Sequence, residues 1–324
     1  MEVTGVSDST PLIEAIDIKK YFPVKKHMLH AVDGLSFKIE EGKTMGVVGE
    51  SGCGKSTLGK TMIRLIEPTS GKMLFRGQDV FSMKKGELRQ IRKKINIIFQ
   101  DPYASLDPRM TVMDSIMEPL LLTKTYKNKK EATPRVKELM DIVGLSERVA
   151  MAYPHELDGG RRQRVGIART LSVKPEFIVC DEPVSALDVS IQAQILNLLM
   201  DLQKEMGLTY LFITHDLSVV RHISDEIIVM YRGVCVEQAS SEEIFNNPLH
   251  PYTKALLAAI PDPSVEGIGK VPTLLKGEVS SPIDPGIGCR FTSRCELCTE
   301  ECHARNMPLV EVAPGHKVAC FRQE

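Results

Sequence analysis

The order of apolar and polar residues along the chain predicts that strands and helices alternate. Thr44 to Val48 is a short apolar, β-branched run, which is typical of a buried strand, and Leu58 to Ile66 has apolar residues at helical spacing. Phe177 to Asp181 repeats the strand pattern, and Ile191 to Met206 is a strongly periodic helix. The chain is therefore predicted to have an α/β fold.

Further strands are predicted where short apolar or alternating runs end at turn residues. They are Leu12 to Lys20, Leu35 to Glu40, Gly71 to Phe75, Ile95 to Phe99, Thr209 to Thr214, and a hairpin of Glu226 to Tyr231 with Val234 to Ala239. In the first of these, Leu12, Ile16 and Ile18 are expected to share one face. Pro23 is expected to end that strand.

Changes in composition divide the chain into three parts. Residues 1–11 are polar and are expected to be disordered. Residues 12–245 form the main domain, with a helical subdomain at about 101–175 that prolines break up and in which Gly144 is a predicted helix stop. Residues 246–324 contain a short apolar helix from Tyr252 to Ile260, then a Pro-, Gly- and Ser-rich stretch, and are expected to form a separate appended unit.

Charge and composition exclude several classes of partner. The formal net charge of the 324-residue chain is −1, so bulk electrostatics give no support to a nucleic-acid partner. No apolar run approaches the length of about 20 residues that spans a bilayer, and the N-terminus lacks a signal-peptide pattern. A cytosolic protein is expected, which would need another chain to hold it at a membrane.

Five of the eight cysteines lie near the C-terminal end. They are Cys289, Cys295, Cys298, Cys302 and Cys320. In a cytosolic protein this clustering favours a metal or cluster site over disulfides. Cys295 and Cys298 form one C-x2-C pair, which leaves zinc open, and reduced cysteines without a metal are the remaining alternative.

The nine residues after the first buried strand read GESGCGKST and match the phosphate-binding loop pattern. This phosphate loop consists of Gly49, Glu50, Ser51, Gly52, Cys53, Gly54, Lys55, Ser56 and Thr57. Its glycines let backbone N–H groups turn toward an anion, and the following helix adds its positive end. Lys55 is expected to reach the β- and γ-phosphates of ATP, and the Ser56 hydroxyl to bind Mg²⁺. A chance glycine-rich turn would not require the strand and helix that flank this one.

Two adjacent carboxylates supply the second part of a nucleotide site. Asp181 ends an apolar strand, where it is expected to hold the Mg²⁺ shell, and Glu182 follows it. A carboxylate at position 182 can polarise water for in-line attack on the γ-phosphate. A surface acidic pair is the alternative reading, and the phosphate loop upstream argues against it.

The remaining short motifs occur in a recognisable order. Gln100 lies in FQDP, LDGGRRQRV begins at Leu157, SALD ends at Asp188, and His215 ends LFITH. Together with the phosphate loop and the two carboxylates, this set resembles the ATP-binding subunit of an ABC transporter. The resemblance covers Leu12 to about Phe245. It implies a P-loop NTPase with a RecA-like core, an antiparallel β portion and a helical subdomain.

The resemblance also implies roles for individual residues. Phe22, or Tyr21 as second choice, would stack on adenine. Gln100 would bind Mg²⁺ and sense membrane subunits, and His215 would contact the γ-phosphate, so both would act with Glu182 in catalysis. The signature and D-loop would face a nucleotide shared with a partner chain; these residues are Leu157, Asp158, Gly159, Gly160 and Asp188.

The C-terminal region narrows the family. NPLHPYTKALLAAIP, GCRFTSRC and VAPGHKVAC resemble the extension of oligopeptide, dipeptide and nickel importers, and FQDPYASLDPR resembles their F-type ATPase subunit. The implied activity is ATP hydrolysis that powers import of peptides, with nickel or oligosaccharide as alternatives and a soluble ABC ATPase or a non-hydrolysing regulatory module less favoured. The implied partners are a D-type ATPase subunit, two transmembrane permease subunits and an extracytoplasmic solute-binding protein. The implied location is the cytoplasmic face of the membrane.

The same resemblance bears on the cysteines. Cys289, Cys295, Cys302 and Cys320 match the importer tail motif, in which some members resemble [4Fe–4S] proteins, whereas Cys298 falls outside it. An iron–sulfur cluster is therefore expected, with Zn²⁺ as the alternative. Its role is expected to be structural or docking, remote from ATP.

The signature departs from the family's usual LSGGQ. Asp158 replaces the serine whose hydroxyl donates a hydrogen bond to the γ-phosphate, and Arg161 replaces the glutamine. An ionised carboxylate only accepts hydrogen bonds and is unfavourable near a triphosphate. Arg161 could pair with Asp158. The site built on the partner's phosphate loop is therefore expected to be the weaker one.

Overall fold

The computed structural model describes residues 11–260 and 282–322. The expected disordered start falls on residues 1–10, which lie outside the described residues. Most of the Pro-, Gly- and Ser-rich stretch before Gly288 does so too. Within the described residues, no helix has the length and hydropathy of a membrane span.

The strands are numbered in chain order. They are β1 (Ile13–Val24), β2 (His27–Ile39), β3 (Thr44–Val48), β4 (Ser70–Phe75), β5 (Gln78–Asp79), β6 (Ile95–Ile98), β7 (Phe177–Asp181), β8 (Thr209–Ile213), β9 (Glu226–Tyr231), β10 (Val234–Ser240), β11 (Val310–Ala313) and β12 (His316–Val318).

The helices are α1 (Lys55–Met62), α2 (Lys85–Ile91), α3 (Pro102–Ser105), α4 (Val112–Leu122), α5 (Lys129–Ile142), α6 (Gly159–Leu171), α7 (Val189–Met206), α8 (Leu217–Ile223), α9 (Ser241–Asn246), α10 (Pro251–Ala258) and α11 (Glu301–Ala304). Short 3-10 turns occur at Glu147–Val149, Pro154–Glu156 and Thr292–Arg294.

The main sheet has eight strands in the order β11-β12-β10-β9-β3-β8-β7-β6. β9, β3, β8, β7 and β6 run parallel, and β10 to β12 add antiparallel strands at one edge. Every residue of β3, β7 and β8 is buried, as expected for parallel strands that are covered on both faces. The predicted strands 44–48 and 177–181 are present with those bounds. In such sheets, ligands bind beyond the carboxyl ends of the strands.

A second, antiparallel sheet has the order β2-β1-β4-β5. The prediction for β1 is wrong in two respects. β1 continues through Pro23 to Val24. Beyond Lys19 it pairs with β2 but no longer with β4, and proline is tolerated where one edge of a strand makes no ladder hydrogen bonds. Its pairing is irregular between Ala15 and Ile18, and this irregularity turns Ile16 outward, where it is 40% exposed.

Helices α3 to α6 occupy residues 102–171 between β6 and β7. Gly144, with φ of 69°, follows the end of α5 and confirms the predicted helix stop. Pro119 and Pro134 were expected to interrupt the helices, but they lie inside α4 and α5. A proline removes one backbone donor, and the buried apolar faces of both helices stabilise them despite that loss.

The C-terminal region is not a separate unit, contrary to the sequence-based expectation. β12 pairs with β10, so the tail extends the main sheet. The Glu237 carboxylate on β10 is fully buried and accepts hydrogen bonds from the N–H groups of Leu249 and His250, at 2.7 and 3.0 Å. His316 Nε2 of β12 lies 2.8 Å from the same carboxylate. Buried polar groups need such partners, so these bonds fix the tail against the core.

Candidate nucleotide-binding cleft

A cleft of about 970 Å³ lies at the carboxyl ends of β3, β7 and β8. The phosphate loop lines one side of it, and Gln100, Glu182 and His215 line another. Phe22 and Pro282 lie at its far end. The sheet topology therefore brings together residues that are up to 260 positions apart in sequence.

The phosphate loop follows a path that only glycine allows at two positions. Gly49 and Gly54 have φ of 153° and 108°. A Cβ atom on Gly49 would lie 2.1 Å from the carbonyl oxygen of Met230, and one on Gly54 would lie 1.9 Å from that of Ala31. The loop is thus pressed against β9 and β2, and α1 begins directly after it. Its backbone is positioned as a cradle for anions.

Lys55 is buried at the start of α1 and reaches back over the loop. Its Nζ donates hydrogen bonds to the carbonyl oxygens of Gly49 and Glu50, at 2.8 and 2.9 Å. A lysine held in this way keeps its ammonium group beside the cradle, where a phosphate could replace the carbonyl contacts.

Asp181 ends β7 beneath the cleft with 2% of its side chain exposed. Its Oδ1 atom is buried and accepts no hydrogen bond from the described residues. Lys60 Nζ lies 3.6 Å from the other carboxylate oxygen. An orphaned carboxylate oxygen in this position fits a site for a hard cation such as Mg²⁺.

Glu182 lies at the centre of a small polar group. Gln100 Nε2 donates a hydrogen bond to its Oε2 at 2.8 Å, and His215 Nδ1 lies 3.4 Å from the same oxygen. Glu182 has φ of 47°, a left-handed conformation that is unfavourable for a glutamate. Strain of this kind is common at functional sites, and here it directs the carboxylate into the cleft.

The two candidates for adenine stacking, Phe22 and Tyr21, have different surroundings. Phe22 lines the cleft, and Lys20 Nζ lies 4.6 Å from the centre of its ring. Tyr21 does not line it, because its ring stacks on His30 at 3.9 Å and its hydroxyl donates a hydrogen bond to Asp33. The geometry therefore favours Phe22.

The structure does not bring every predicted site residue to this cleft. Leu157, Asp158, Gly159, Gly160 and Asp188 do not line it. Asp158 caps α6 by accepting a hydrogen bond from the N–H of Arg161 at 2.8 Å. Asp188 caps α7 in the same way through the N–H of Ile191.

The side chains of Asp158 and Arg161 also approach each other, with Arg161 Nε 3.5 Å from Asp158 Oδ2. The predicted pairing is present, although both side chains are exposed. An exposed pair of this kind contributes little to stability. The carboxylate's main local role is to cap the helix.

The cysteines of the tail line a second, smaller cavity. All five contribute to it, together with Phe291, Leu297 and Met307. Backbone hydrogen bonds bring the loops together, for example from the Cys289 N–H to the Cys302 carbonyl at 2.8 Å. Burial raises the pKa of Cys289 to about 11, so its thiol is uncharged at neutral pH when no metal is bound. Cys298 Sγ lies 3.3 Å from His303 Nε2.

The tail contacts the phosphate loop, although the role of the cysteine cluster was expected to be remote from ATP. Arg294 donates two hydrogen bonds to the carboxylate of Glu50 in the phosphate loop, and Pro282 lines the cleft. No local pattern could have identified this contact, since the partners are 244 residues apart in sequence. The sequence signal was Arg294 in GCRFTSRC, a motif whose resemblance to the importer tail assigned no role to this arginine.

Comparison with known proteins agrees with this arrangement. A family model described as "ABC transporter" matches residues 32–185, and one described as "Oligopeptide/dipeptide transporter, C-terminal region" matches residues 236–302. The chain is also similar to the dimeric post-hydrolysis structure of the ATP-binding cassette MJ0796 bound to ADP and Pi. That likeness has a TM-score of 0.65 and 30% identity over 71% of this chain and 98% of that one.

Curated relatives match over nearly the full length. The oligopeptide transport ATP-binding protein AppF of Bacillus subtilis is 50% identical over 98% of this chain and 99% of its own. The oligopeptide transport ATP-binding protein OppF of Salmonella typhimurium is 49% identical over 96% of each chain.

We predict that replacing Phe22 by leucine lowers the affinity for ATP about tenfold, since stacking on a base contributes roughly 1–3 kcal/mol. Tyr21→Leu is the matched control and should have a smaller effect, because Tyr21 faces Asp33 rather than the cleft. Equilibrium titration with a fluorescent ATP analogue measures both. A larger loss for Tyr21→Leu would assign the stacking to Tyr21.

Proposed function

Because this chain belongs to the ATP-binding subunits of oligopeptide and dipeptide ABC transporters, whose ATP hydrolysis powers peptide import, we propose specific roles for the residues of its cleft. The observation that carries the proposal is that the phosphate loop and Glu182 line one cleft, with Asp181 at the end of the strand that leads to Glu182. The triphosphate would lie along the phosphate loop, with the base at Phe22.

Three residues would hold the metal ion of the substrate. Asp181 has the orphaned carboxylate oxygen, and Ser56 and Gln100 line the cleft beside it. Carboxylate, hydroxyl and amide oxygens are the ligands that Mg²⁺ prefers. When bound, Mg²⁺ neutralises charge on the β- and γ-phosphates.

Glu182 would act as the group that orients and polarises the attacking water. Gln100 and His215 both approach its Oε2 atom, so they fix the direction of the carboxylate. His215 is half exposed, at the open side of the cleft, from which it can contact the γ-phosphate. A preorganised carboxylate lowers the barrier because it does not have to reorient during the reaction.

A second ATPase subunit would complete the site. The signature and Asp188 lie outside this chain's own cleft, and Val189 beside them is 81% exposed. An exposed apolar residue next to two helix N-termini suits a contact with a partner chain. We infer a D-type subunit as that partner, packed head to tail.

The membrane subunits would bind the helical segment. Tyr103, Met151 and Tyr153 are exposed apolar residues there. Arg162 links Tyr103 to the turn that follows Tyr153, since its guanidinium lies 5.1 Å from the Tyr103 ring centre and its Nε donates to the Pro154 carbonyl. These exposed residues suit a contact with two permease subunits at the cytoplasmic face of the membrane, with an extracytoplasmic binding protein selecting the peptide.

We also propose that Cys289, Cys295, Cys302 and Cys320 hold a [4Fe–4S] cluster. What supports it is that these thiols line one cavity with apolar neighbours. Cysteine thiolates are the usual ligands of such clusters, and each one binds a different iron atom. The cluster would be structural, because the loops that carry the cysteines contain little regular secondary structure.

The spacing of the four cysteines favours a cluster over zinc, because it lacks the paired C-x2-C repeats of common zinc sites. Zinc binds sulfur at about 2.3 Å, so its ligands must lie close together around one point. Among the described residues, no group of three or more His, Cys, Asp or Glu side chains is arranged to hold a metal ion, so the proposal rests on the sequence motif and the shared cavity. Thiolates that bind four different irons can lie further apart.

Glu182→Gln should retain ATP binding and slow hydrolysis by about 100-fold or more, because general-base assistance contributes 10²- to 10⁴-fold. The variant should trap a closed dimer with the D-type partner. Phosphate release and gel filtration measure these two effects. Glu205→Gln, on the exposed end of α7, is the control that should behave like the unchanged protein. Near-normal turnover by Glu182→Gln would move the catalytic role to another residue.

The signature predicts functional asymmetry between the two sites. Changing Lys55 should abolish transport, whereas the equivalent change in the D-type partner should reduce it less. Replacing Asp158 by serine and Arg161 by glutamine should raise ATPase activity. Both serine and aspartate are good helix caps, so this change tests the phosphate contact rather than the helix. Equal losses of transport from the two lysine changes would contradict functional asymmetry. Unchanged ATPase activity in the Asp158→Ser, Arg161→Gln variant would mean that the N-terminal end of the helix alone makes the phosphate contact.

If the four cysteines hold a [4Fe–4S] cluster, the anaerobically purified protein should be brown and contain iron and sulfide in equal amounts. Serine at Cys289, Cys295, Cys302 or Cys320 should remove the colour, and Cys298→Ser, the matched control, should keep it. Absorbance together with iron, sulfide and zinc analysis measures this. A colourless protein with stoichiometric zinc would contradict the cluster.

A further inference from the structure

Glu50 in the phosphate loop is held through all three of its polar groups. Its N–H donates to the Tyr252 hydroxyl at 2.8 Å, and its carbonyl accepts from Lys55 Nζ at 2.9 Å. Its carboxylate accepts two hydrogen bonds from Arg294, at 2.6 and 2.9 Å. Two of the three contacts come from the C-terminal region. The position of Glu50, whose carbonyl holds Lys55, is therefore set from outside the phosphate loop.

The contact between Glu50 and Arg294 has the features of a specific, rigid pair. It is bidentate, which fixes direction as well as distance. The Arg294 side chain is 4% exposed and that of Glu50 is 23% exposed, so solvent screens the pair less than it screens a surface ion pair. The two groups are far apart in sequence, and only the folded C-terminal region places the arginine here.

Arg294 belongs to a short segment, residues 289–295, which we call the brace. Phe291 anchors the brace in the core. It is 2% exposed, and its ring centre lies 5.2 Å from that of Tyr231 and 5.4 Å from that of Tyr252. Tyr231 is in β9 and Tyr252 in α10, so the brace is wedged between the sheet and the tail helix.

A second arginine of the brace contacts β2, which pairs with the strand that carries Phe22. Arg290 donates to the carboxylate of Asp33 and to the carbonyl of Arg232. Asp33 also accepts from the Tyr21 hydroxyl and lies 3.0 Å from His30 Nδ1. These contacts fix the strand pair that carries Phe22. The brace thus contacts Glu50 in the phosphate loop through Arg294, and Asp33 in the strand pair that carries Phe22 through Arg290.

We propose that Arg294 is a positioning residue for ATP binding. By holding Glu50, it keeps the carbonyl that supports Lys55 and the backbone N–H groups of the loop in the conformation that binds phosphate. It acts through Glu50 and does not line the cleft. This inference rests on the proposed function only in that the cleft binds ATP.

The test is a double-mutant cycle with Arg294→Gln, Glu50→Gln and the double variant, in the full-length protein. Each single change should lower the affinity for a fluorescent ATP analogue about tenfold, which corresponds to roughly 1.4 kcal/mol. The double variant should lose no more than either single one, because both changes remove the same contact. In turnover assays KM should rise more than kcat falls, since the variants lose the preformed loop conformation that binds ATP but keep Glu182.

Arg305→Gln is the matched control. Arg305 is an exposed arginine of the same region, with its guanidinium over Phe321, and its replacement should leave ATP affinity unchanged. Arg294→Lys keeps the charge without the bidentate geometry. Its affinity for ATP should lie between that of Arg294→Gln and that of the unchanged protein. Thermal melting and, where iron is present, iron content should be the same in Arg294→Gln and the unchanged protein, which separates loss of positioning from loss of the tail.

Unchanged affinity in Arg294→Gln, or additive losses in the double variant, would overturn the proposal. If Arg294→Gln does not fold, Glu50→Gln breaks the same contact from the loop side and leaves the brace intact. Unchanged affinity for ATP in Glu50→Gln would then overturn the proposal. Failure of the unchanged protein to bind ATP would instead contradict the proposed function. The unchanged protein is therefore titrated first.

Discussion

The cleft depends on how closely β3 and α1 pack against the rest of the parallel sheet. A Cβ atom on Gly46 in β3 would lie 2.5 Å from Ser224 Oγ, and one on Gly59 in α1 would lie 2.7 Å from the side chains of Ile213 and Val179. No side chain fits at either place without displacing its neighbours. Strand, loop and helix therefore form one rigid block, and the carboxylates at the ends of the adjacent strands have fixed positions relative to the phosphate cradle.

Sequence predicted the parts of the site that depend on local chemistry. The phosphate loop and the strand before Glu182 each have a sequence pattern of their own, and the structure contains both elements. Topology then brings them together, because parallel strands end at the same edge. The resemblance already ranked Phe22 above Tyr21 for adenine stacking, and the fold adds a physical reason, since Tyr21 is held by Asp33.

Sequence failed where the result depends on contacts between distant residues. The outward turn of Ile16 comes from an irregularity in strand pairing that no alternation pattern reveals. The prediction that the tail is a separate unit was wrong for a related reason. A region rich in cysteine and turn residues has few core residues of its own, which suggested a detached unit. One phenylalanine, two arginines and a short hairpin are enough to join it to the core.

The pairing of β12 with β10 also bears on how the protein is made. Until residues 316–318 have left the ribosome, β10 is an open edge with unpaired backbone groups, next to a buried glutamate that lacks its histidine. Exposed edges of this kind promote association between nascent chains. The nucleotide-binding core is synthesised before its protective strand, so its nascent form exposes the edge of β10 until residues 316–318 can pair with it.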